Sequence, residues 1–523
     1  MISFDLTKEE FTDIVYDAGK PAIVQLMAKV RSDCSPLQLY TTLQKDRYSY
    51  LLESVEKEKR HARFSFVGAY PDGVVKISGR TLVLECTADS PLISNVRQNM
   101  ASECDIIEDT GDVLKAVIRD GHDVLDALRT VFPTANGTVS LNCERFDRQT
   151  FLGGAIGYNG YDIVYDCWLD TERSHNSDIP DMQFILTTKT FVFDHLTEET
   201  YIVLTPFMDI GCDAGAIYDG ALHDAERMHK CLCLAGDVEQ DILPPVMDAG
   251  EPVCNMGKDV FEKAVMTAKQ HIIDGDIFQV VLSRRYSVRL QQSPLELYRT
   301  LREINPSPYM YLFSFDDLSI VGASPETLMT VHKRNVITNP IAGTCPRGND
   351  EAEDAKYAAH MMADEKERAE HVMLVDLGRN DVRMVSQSGS VKVKDLMSVV
   401  KYSHVQHIES TVCGVLRPEC DQFDATRAIF PAGTLSGAPK IRAMEIIDEF
   451  ETSARGVYGG GVGYYSWNGD VDTAIVIRTV VINGNTAYIQ AGAGIVADSD
   501  PTYEYEETER KMAAMLTAMG VKR

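Results

Sequence analysis

Apolar residues recur along the chain at two spacings, and the change from one spacing to the other marks the predicted elements. Alternating or continuous apolar runs predict strands, whereas apolar residues three and four positions apart predict helices. Such runs predict strands at 64–68, 74–77, 153–158, 185–186, 191–193, 201–204, 277–283, 309–315 and 319–322. Helical spacing predicts helices from residue 261 and at 293–304, 351–378, 437–450 and 503–518. This mixed order predicts an α+β fold, in which antiparallel β-sheets pack as a sandwich with helices outside.

The chain is long enough for two domains, and its clearest break lies at residues 235–257. With 523 residues it exceeds the usual size of a single hydrophobic core. The break contains Pro244-Pro245 and a further glycine and proline, which is typical of a linker. We therefore expect two interlocked domains, an N-terminal domain at 1–250 and a catalytic domain at 256–523.

The segment 457–497 carries the strongest local signals. Three β-rich runs are separated by Asn468-Gly469 and by Asn483-Gly484. Asn-Gly between two such runs is a strong hairpin signal, because both residues tolerate a positive φ. The segment is therefore predicted to form a three-stranded antiparallel meander.

Arg478 stands in an otherwise apolar strand of this meander. A buried arginine needs an anion, and the alternative is an arginine at a sheet edge whose head reaches solvent. With a two-residue turn at 468–469, Tyr458 and Arg478 would point to opposite faces. We therefore predict a one-residue bulge among glycines 459–461 that brings the two side chains together.

The composition is acidic, and it argues against several classes of partner. Asp and Glu number 78 against 51 Lys and Arg, which gives a formal net charge of −27. Nucleic acid or an anionic membrane surface would need a basic face, so neither is expected. The 12 cysteines form no C-x-x-C pair, and neither a secretory signal nor a membrane span is apparent. We expect a reduced, cytoplasmic protein.

Two pairs of carboxylates are the first candidates for chemistry. Glu367 and Glu370 are three residues apart on one predicted helix, and Glu504 and Glu507 are three apart on another. Residues at this spacing share a helix face, so each helix presents a pair of oxygen ligands. Two pairs facing one cavity would suit Mg²⁺. The alternative for either pair is a solvated helix face with basic partners.

Two glycine-containing stretches are further candidates for anion binding. Gly492, Ala493 and Gly494 end the last strand, where small residues let a ligand approach the backbone N–H groups. A β-bulge is the alternative explanation for these glycines. Residues 433–440 are predicted to start a helix with Ser436 as its N-cap, and such a helix start favours anions.

Long motifs of the second half resemble those of the chorismate-utilising enzymes. The resemblance is close over residues 258–520, and residues 51–54 and 154–162 look like the N-terminal region of the anthranilate synthase members. The motifs that carry it are Pro340-Ile341-Ala342-Gly343-Thr344, Ala369-Glu370-His371-Val372-Met373-Leu374-Val375-Asp376-Leu377, Gly433-Thr434-Leu435-Ser436-Gly437-Ala438-Pro439-Lys440 and Ile477-Arg478. Because these motifs are long, specific and in order, the chain is identified as a member of this family.

The resemblance implies a site for Mg²⁺ and chorismate. Glu370 and Glu507 would bind Mg²⁺, while Glu367 and Glu504 would act through metal-bound water. Bound Mg²⁺ would hold the ring carboxylate of chorismate and offset the acidity of the protein. The residues that would contact the substrate are Gly343, Thr344, Tyr458, Arg478, Gly492, Ala493, Gly494 and Lys511.

Two positions select a branch of the family. Relatives that add water carry a lysine base where this chain has Gln279, and aminodeoxychorismate synthases carry a lysine nucleophile where it has Ala342. Ammonia needs neither lysine, so the implied activity is that of an anthranilate synthase, the first step of tryptophan biosynthesis. The alternatives are an aminodeoxychorismate synthase subunit without that lysine and an inactive relative that only binds tryptophan or the amidotransferase.

The resemblance also implies the catalytic residues, which are His407, Glu326 and Thr434. Ammonia would add at C2 of chorismate while Glu326 protonates the leaving C4 hydroxyl, giving an aminodeoxyisochorismate intermediate. Elimination of pyruvate would then yield anthranilate, and His407 matches the histidine linked to this elimination. Spacing alone favours neither His407 nor His404, which share one β-type run.

A partner and an inhibitor are expected as well. The chain has no Gly-x-Cys-x-Gly nucleophile elbow, so ammonia is expected from a separate glutamine amidotransferase subunit. Ser54, together with Pro308, Tyr309 and Met310, resembles the family's inhibitor pocket between the two domains. L-tryptophan is therefore expected to inhibit the enzyme. A plain proline turn would explain the second segment taken alone.

Overall fold

Two large β-sheets, in which every described pairing is antiparallel, form the framework of the protein. The computed structural model describes residues 2–44, 47–55, 63–87, 90–169, 171–236, 249–402 and 405–522. Helices accompany both sheets, and the predicted α+β class is confirmed. The described helices of a full turn or more are Lys8–Ala18, Pro36–Leu43, Pro91–Glu103, Val124–Thr130, Ala214–Gly236, Lys258–Ile273, Pro294–Ile304, Glu351–Ala363, Glu365–Val385, Gln422–Ile429, Lys440–Phe450 and Pro501–Ala518, with short helical turns at Pro133–Asn136, Tyr161–Ile163, Tyr165–Leu169 and Gly433–Leu435.

The strands divide into two large sheets and one small one. The first sheet has, in spatial order, Ile341–Pro346, Val405–Val415, Asn335–Thr338, Thr327–His332, Val471–Ile475, Gly461–Ser466, Gly154–Asn159, Met182–Thr187, Gly73–Ser78, Thr81–Cys86, Val113–Ile118 and Cys104–Asp109, with Lys392–Lys401 also paired to Val405–Val415. The second has Val253–Cys254, Gln279–Arg289, Thr486–Ile495, Thr479–Asn483, Leu318–Ser324, Tyr309–Phe315, Tyr48–Glu53, Phe64–Gly68, Lys189–Asp194, Glu199–Leu204 and Leu26–Val30, with Gly437–Ala438 also paired to Gln279–Arg289. The small sheet has Phe207–Met208, Ala22–Val24 and Val139–Leu141.

Both large sheets contain strands from both halves of the chain. In the first sheet Gly154–Asn159 pairs with Gly461–Ser466, and in the second Tyr48–Glu53 pairs with Tyr309–Phe315. Aromatic side chains fill the space between the sheets, where the ring of Tyr464 lies 5.4 Å from that of Phe66. Buried aromatic pairs of this kind contribute strongly to a core. The two halves therefore share one framework of strands and the core between the two large sheets.

Two predicted helices differ from the observed ones. The predicted helix 351–378 is two helices, because Asp364 leaves the helical conformation with a ψ of 118° and caps the second helix through Lys366 N–H and Glu367 N–H. The predicted helix 437–450 begins only at Lys440, and Ser436 is not its N-cap. The Ser436 hydroxyl donates to the carbonyl of Ala432 at 2.9 Å, so the expected anion-binding helix start is absent there.

The predicted three-stranded meander is wrong, although both of its turns form. Residues 461–495 contain four strands, which make one hairpin in each large sheet. The chain crosses from the first sheet to the second at residues 476–478, where Arg478 adopts a left-handed φ of 53°. Residue periodicity cannot reveal this crossing, because the apolar run continues through it.

The predicted linker lies largely outside the described residues, since 237–248 are not among them. The preceding helix extends to residue 236, and the helix predicted from residue 261 begins at Lys258. Among the residues that the structure describes, no helix is both long and apolar enough to cross a membrane.

Candidate functional site

Four elements that are distant in sequence meet at the two predicted carboxylate pairs. The Gln279 side chain, at the start of its strand, donates to Glu370 Oε1 on helix Glu365–Val385 at 3.3 Å. A methyl group on Gly343 would lie 3.2 Å from Glu367 Oε2, so strand Ile341–Pro346 borders the same helix. Glu504 and Glu507 come from the first two turns of the last helix, Pro501–Ala518.

Electrostatic interactions link the carboxylates of the two helices. Burial raises the pKa of Glu367, and the negative charges of Glu370 and Glu507 raise it further. Burial also raises the pKa of Glu504, as does the charge of Glu507. Each pair lies near the N-terminus of its helix, where the helix dipole favours negative charge.

Lys511 forms an ion pair with one of these carboxylates. Its Nζ lies 2.7 Å from Glu507 Oε1 and donates to the carbonyl of Gly492 at 3.0 Å. Within the described parts of the chain, no three His, Cys, Asp or Glu side chains are already arranged as a metal site. The carboxylate cluster of Glu367, Glu370, Glu504 and Glu507 therefore gathers oxygen donors from two helices, and Lys511 forms an ion pair with one of them.

Glu326 is a buried carboxyl group whose surroundings favour its protonated form. It follows strand Leu318–Ser324, and Thr434 Oγ1 donates to its Oε1 at 2.9 Å. Burial raises the pKa of Glu326 to about 7, although the Thr434 hydrogen bond and the charge of Lys511 lower it. A carboxyl group of this kind can act as a general acid near neutral pH.

His407 is held in one orientation by strand Ile341–Pro346. Its Nδ1 lies 2.7 Å from the carbonyl oxygen of Gly343 and 3.1 Å from Thr344 Oγ1. Because a carbonyl oxygen only accepts, Nδ1 carries the proton and Nε2 remains available as a base. Burial lowers the pKa of His407 and so does the charge of Arg478, whereas the hydrogen bond to Gly343 raises it; the net lowering favours the neutral ring. His404 lies outside the described residues.

The predicted bulge among glycines 459–461 is confirmed. Gly459 N–H donates to Val476 O and Val476 N–H donates to Gly460 O, both at 2.9 Å, so two glycines oppose one residue. Gly459 has a φ of 77°, which is the left-handed conformation that such a bulge requires of its first residue. Together with the crossing at Arg478, this bulge places Tyr458 within electrostatic range of that arginine.

The surroundings of Arg478 suit the binding of an anionic ligand. Burial lowers the pKa of its guanidinium, and within the described residues no carboxylate forms an ion pair with it. A buried guanidinium without a carboxylate is costly unless a ligand supplies the negative charge. The residue as a whole is half-buried, so part of Arg478 still reaches solvent.

The strand with Gly492, Ala493 and Gly494 contains no bulge. Its register against Gln279–Arg289 is uninterrupted, with Gly494 opposite Val281. The glycines instead make room for side chains, since a methyl group on Gly494 would lie 2.6 Å from Gln279 Nε2. One on Gly492 would lie 3.1 Å from the Tyr458 hydroxyl.

Arg455 is a buried residue of this region that the sequence reasoning missed. Its guanidinium pairs with Glu451 at 2.6 Å and donates to the carbonyls of Leu435 and Val281 at 2.6 and 2.7 Å. It also lies 5.7 Å from the centre of the Tyr458 ring, so it supports that ring from beneath. The signal in the sequence was the Glu–Arg pair four residues apart at the end of a helix.

The residues of the expected inhibitor pocket also come together. Ser54, Pro308, Tyr309 and Met310 line one cavity where the strands of the two halves pair. Ser54 Oγ donates to the carbonyl of Pro308 at 2.8 Å. Tyr309 donates to Asp472 Oδ1 at 3.0 Å.

The similarities to known proteins agree with this geometry. Residues 135–517 match the family model described as chorismate binding enzyme. Anthranilate synthase component 1 of Haloferax volcanii is 46% identical over 99% of this chain and 98% of that protein, and that of Thermococcus kodakarensis is 41% identical over 93% and 98%. The crystal structure of anthranilate synthase component I from Streptococcus pneumoniae is 34% identical, covers 88% of this chain and 93% of that one, and has a TM-score of 0.65.

Proposed function

Because the chain belongs to the chorismate-binding enzyme family, and within it to the anthranilate synthases, we propose that it converts chorismate and ammonia to anthranilate and pyruvate. The observation that carries the proposal is the position of Gln279, which contacts Glu370 inside the candidate site. Glutamine cannot deprotonate water, and the buried Ala342 cannot form a covalent adduct. The site therefore favours ammonia as the nucleophile.

The residues of the site have separable roles in this proposal. Arg478 and Tyr458 bind the enolpyruvyl carboxylate. Glu326 gives its proton to the C4 hydroxyl, which leaves as water while ammonia adds at C2. His407 then removes the C2 proton through Nε2 as pyruvate is eliminated, and the ring becomes aromatic. Thr434 holds Glu326 in place through its hydrogen bond.

The carboxylate cluster fits Mg²⁺ as the cofactor. Its donors are carboxylate oxygens, which are the ligands that a hard divalent cation prefers. Burial raises the pKa of Glu367 and of Glu504, and the negative charge of Glu507 raises both further, so a bound cation would offset part of this cost. In this proposal Glu370 and Glu507 would hold the ion, and Glu367 and Glu504 would contribute through bound water. The ion would supply positive charge to the ring carboxylate of chorismate.

The supply of ammonia involves a second protein in this proposal. The relatives are named component 1, and the chain contains no glutaminase nucleophile elbow. We therefore propose a glutamine amidotransferase subunit as the partner that releases ammonia to the site.

One assay tests the proposed function. The purified chain, given chorismate, ammonium and Mg²⁺, is expected to release anthranilate and pyruvate in equal amounts, as followed by anthranilate fluorescence and a coupled pyruvate assay. Chelation of the metal should stop the reaction, and glutamine should not replace ammonium. Formation of 4-amino-4-deoxychorismate without pyruvate would exclude the proposal, as would turnover that survives chelation or uses glutamine equally well.

We propose L-tryptophan as the inhibitor that occupies the cavity around Ser54. Arg148 and Asp472, two residues of opposite charge, are among the residues that border the cavity. The cavity lies where the strands of the two halves pair, so its occupant can influence both halves.

Replacing Ser54 by Phe is expected to weaken inhibition by tryptophan at least about tenfold, because the larger side chain would occupy the cavity. The measurement is the tryptophan concentration that halves anthranilate formation. Basal activity should stay close to that of the wild type, since Ser54 contacts Pro308 and none of the proposed catalytic groups. Substitution of Ser32, which lies away from this cavity, by Phe serves as the matched control. Unchanged inhibition in the Ser54 variant would exclude this cavity.

A further inference from the structure

A buried lysine joins the two ends of the loop that carries Thr434. This loop, residues 430–439, connects helix Gln422–Ile429 to helix Lys440–Phe450. The Nζ of Lys440 donates to the carbonyl of Ile429 at 3.0 Å, so its side chain spans the residues on either side of the loop. A positive charge at the C-terminus of a helix is also favoured by the helix dipole. The hydrogen bond to Ile429 therefore closes the loop at its base.

The same ammonium group is paired with Asp381 on helix Glu365–Val385. The Nζ of Lys440 lies 2.9 Å from Asp381 Oδ2, and both side chains are buried. Burial raises the pKa of Asp381 to about 6, although the charge and the hydrogen bond of Lys440 lower it. This helix also contributes two members of the carboxylate cluster, Glu367 and Glu370. Lys440 therefore ties the base of the loop to the helix that carries a proposed metal ligand.

The loop also packs directly on this helix, one turn away from Asp381. A methyl group on Gly433 would overlap the side chain of Leu377, so the glycine lets the loop lie close to the helix. Leu377 and Asp381 are four residues apart and share a helix face. The next residue of the loop is Thr434, whose hydroxyl donates to Glu326 Oε1 at 2.9 Å. The contacts of the loop with the helix therefore set the position of this hydroxyl.

From this arrangement we infer that Lys440 is a positioning residue for the general acid Glu326. It holds the loop on the helix, and the loop presents the Thr434 hydroxyl that orients the carboxyl group of Glu326. Lys440 thus acts through Thr434 and not by contact with the substrate. The inference rests on the proposed function, in which Glu326 protonates the leaving hydroxyl group of chorismate.

The neighbours of Glu326 allow this indirect role to be separated from an effect of the lysine charge. Burial raises the pKa of Glu326, and the charge of Glu409 raises it further. The Thr434 hydrogen bond and the charge of Lys511 lower it. A displaced loop would remove the Thr434 hydrogen bond, so the pKa of Glu326 should rise. Loss of the ammonium charge alone could also raise this pKa, but that effect would persist in a protein that already lacks the Thr434 hydroxyl.

The experiment is a double-mutant cycle on the pH profile of anthranilate formation, with Lys440→Met and Thr434→Val alone and combined. Methionine has a similar length but no ammonium group. Lys440→Met should lower kcat at least about tenfold, because the acid is no longer held in place. At constant free ammonia, it should also move the alkaline limb to higher pH, as Thr434→Val does. The limb of the combined variant should coincide with that of Thr434→Val, whereas a loss of folded protein would lower the rate without moving the limb.

Two further variants control for the loss of a buried charge. Lys440→Met alone leaves Asp381 buried without its partner, which is destabilising, so the pair is also replaced as Lys440→Met with Asp381→Leu. This variant should have the same alkaline limb as Lys440→Met. Lys189→Met removes a lysine that pairs with Asp224 on helix Ala214–Gly236, away from the loop. It is the matched control and should keep the wild-type limb.

Three results would overturn the inference. The first is a wild-type limb in Lys440→Met or in the paired replacement. The second is a further shift when Lys440→Met is added to Thr434→Val, which would assign the effect to the charge of the lysine. The third is an equal shift in Lys189→Met. Each result is read from the pH profile of an active enzyme, so it is distinct from failure of the proposed function, which is judged by product identity.

Discussion

Replacing Glu326 by Gln is expected to lower the kcat for anthranilate formation by about 10²–10⁴-fold, the usual contribution of a general acid. Gln preserves the shape of the side chain and can still accept from Thr434, but it has no acidic proton for the departing C4 hydroxyl. The KM for chorismate should change little. Rates with saturating ammonium and Mg²⁺ measure the effect, and Glu303→Gln, an exposed residue, is the control. A Glu326 variant within about threefold of wild-type kcat would remove this residue from the mechanism.

The pH dependence of the same reaction provides a second test of Glu326 as the general acid. Burial raises its pKa to about 7, so the acid form is present below that pH and is lost as the pH rises through it. Activity should therefore fall on the alkaline side when the concentration of free ammonia is held constant. Thr434→Val removes a hydrogen bond that lowers this pKa, so the alkaline limb should move to higher pH. A limb that stays in place or moves to lower pH would contradict the assignment.

Local spacing was sufficient to predict the carboxylate pairs and the turns. Glu367 and Glu370 lie on one helix face because helix geometry fixes the relation between residues three apart. Gly469 and Gly484 adopt positive φ values of 88° and 57°, as Asn-Gly turns require. Because these features depend only on a few neighbouring residues, they can be predicted from the sequence alone.

Features that depend on distant partners could not be predicted in the same way. The chain crosses from one sheet to the other at Arg478. The residues before it pair with strand Thr327–His332 and those after it with strand Leu318–Ser324, and no local sequence pattern encodes this choice of partners. The orientation of His407 likewise depends on the carbonyl of Gly343, where the ladder is interrupted between Ala342 and Cys345. The break at Asp364 did have a local signal, since Asp followed three residues later by Glu is a common helix start.

The other large effect is expected at the elimination step. Replacing His407 by Met should slow the formation of anthranilate and pyruvate by about 10²–10⁴-fold, because methionine fills similar space but cannot accept a proton. Addition of ammonia does not require this base, so aminodeoxyisochorismate should accumulate. Separation of the reaction mixture by chromatography, together with the coupled pyruvate assay, measures both steps in one experiment.

The ratio of accumulated intermediate to released product distinguishes the loss of a catalytic base from a general loss of folded protein. A variant that is merely destabilised would lose both steps together, whereas loss of the base should leave consumption of chorismate well above release of pyruvate. His360→Met, on the exposed face of helix Glu351–Ala363, is the matched control and should convert chorismate to anthranilate without accumulation. If His407→Met releases anthranilate at the wild-type rate, then Nε2 is not the base. If it loses both steps equally while remaining folded, His407 acts before elimination, through its contacts with Gly343 and Thr344.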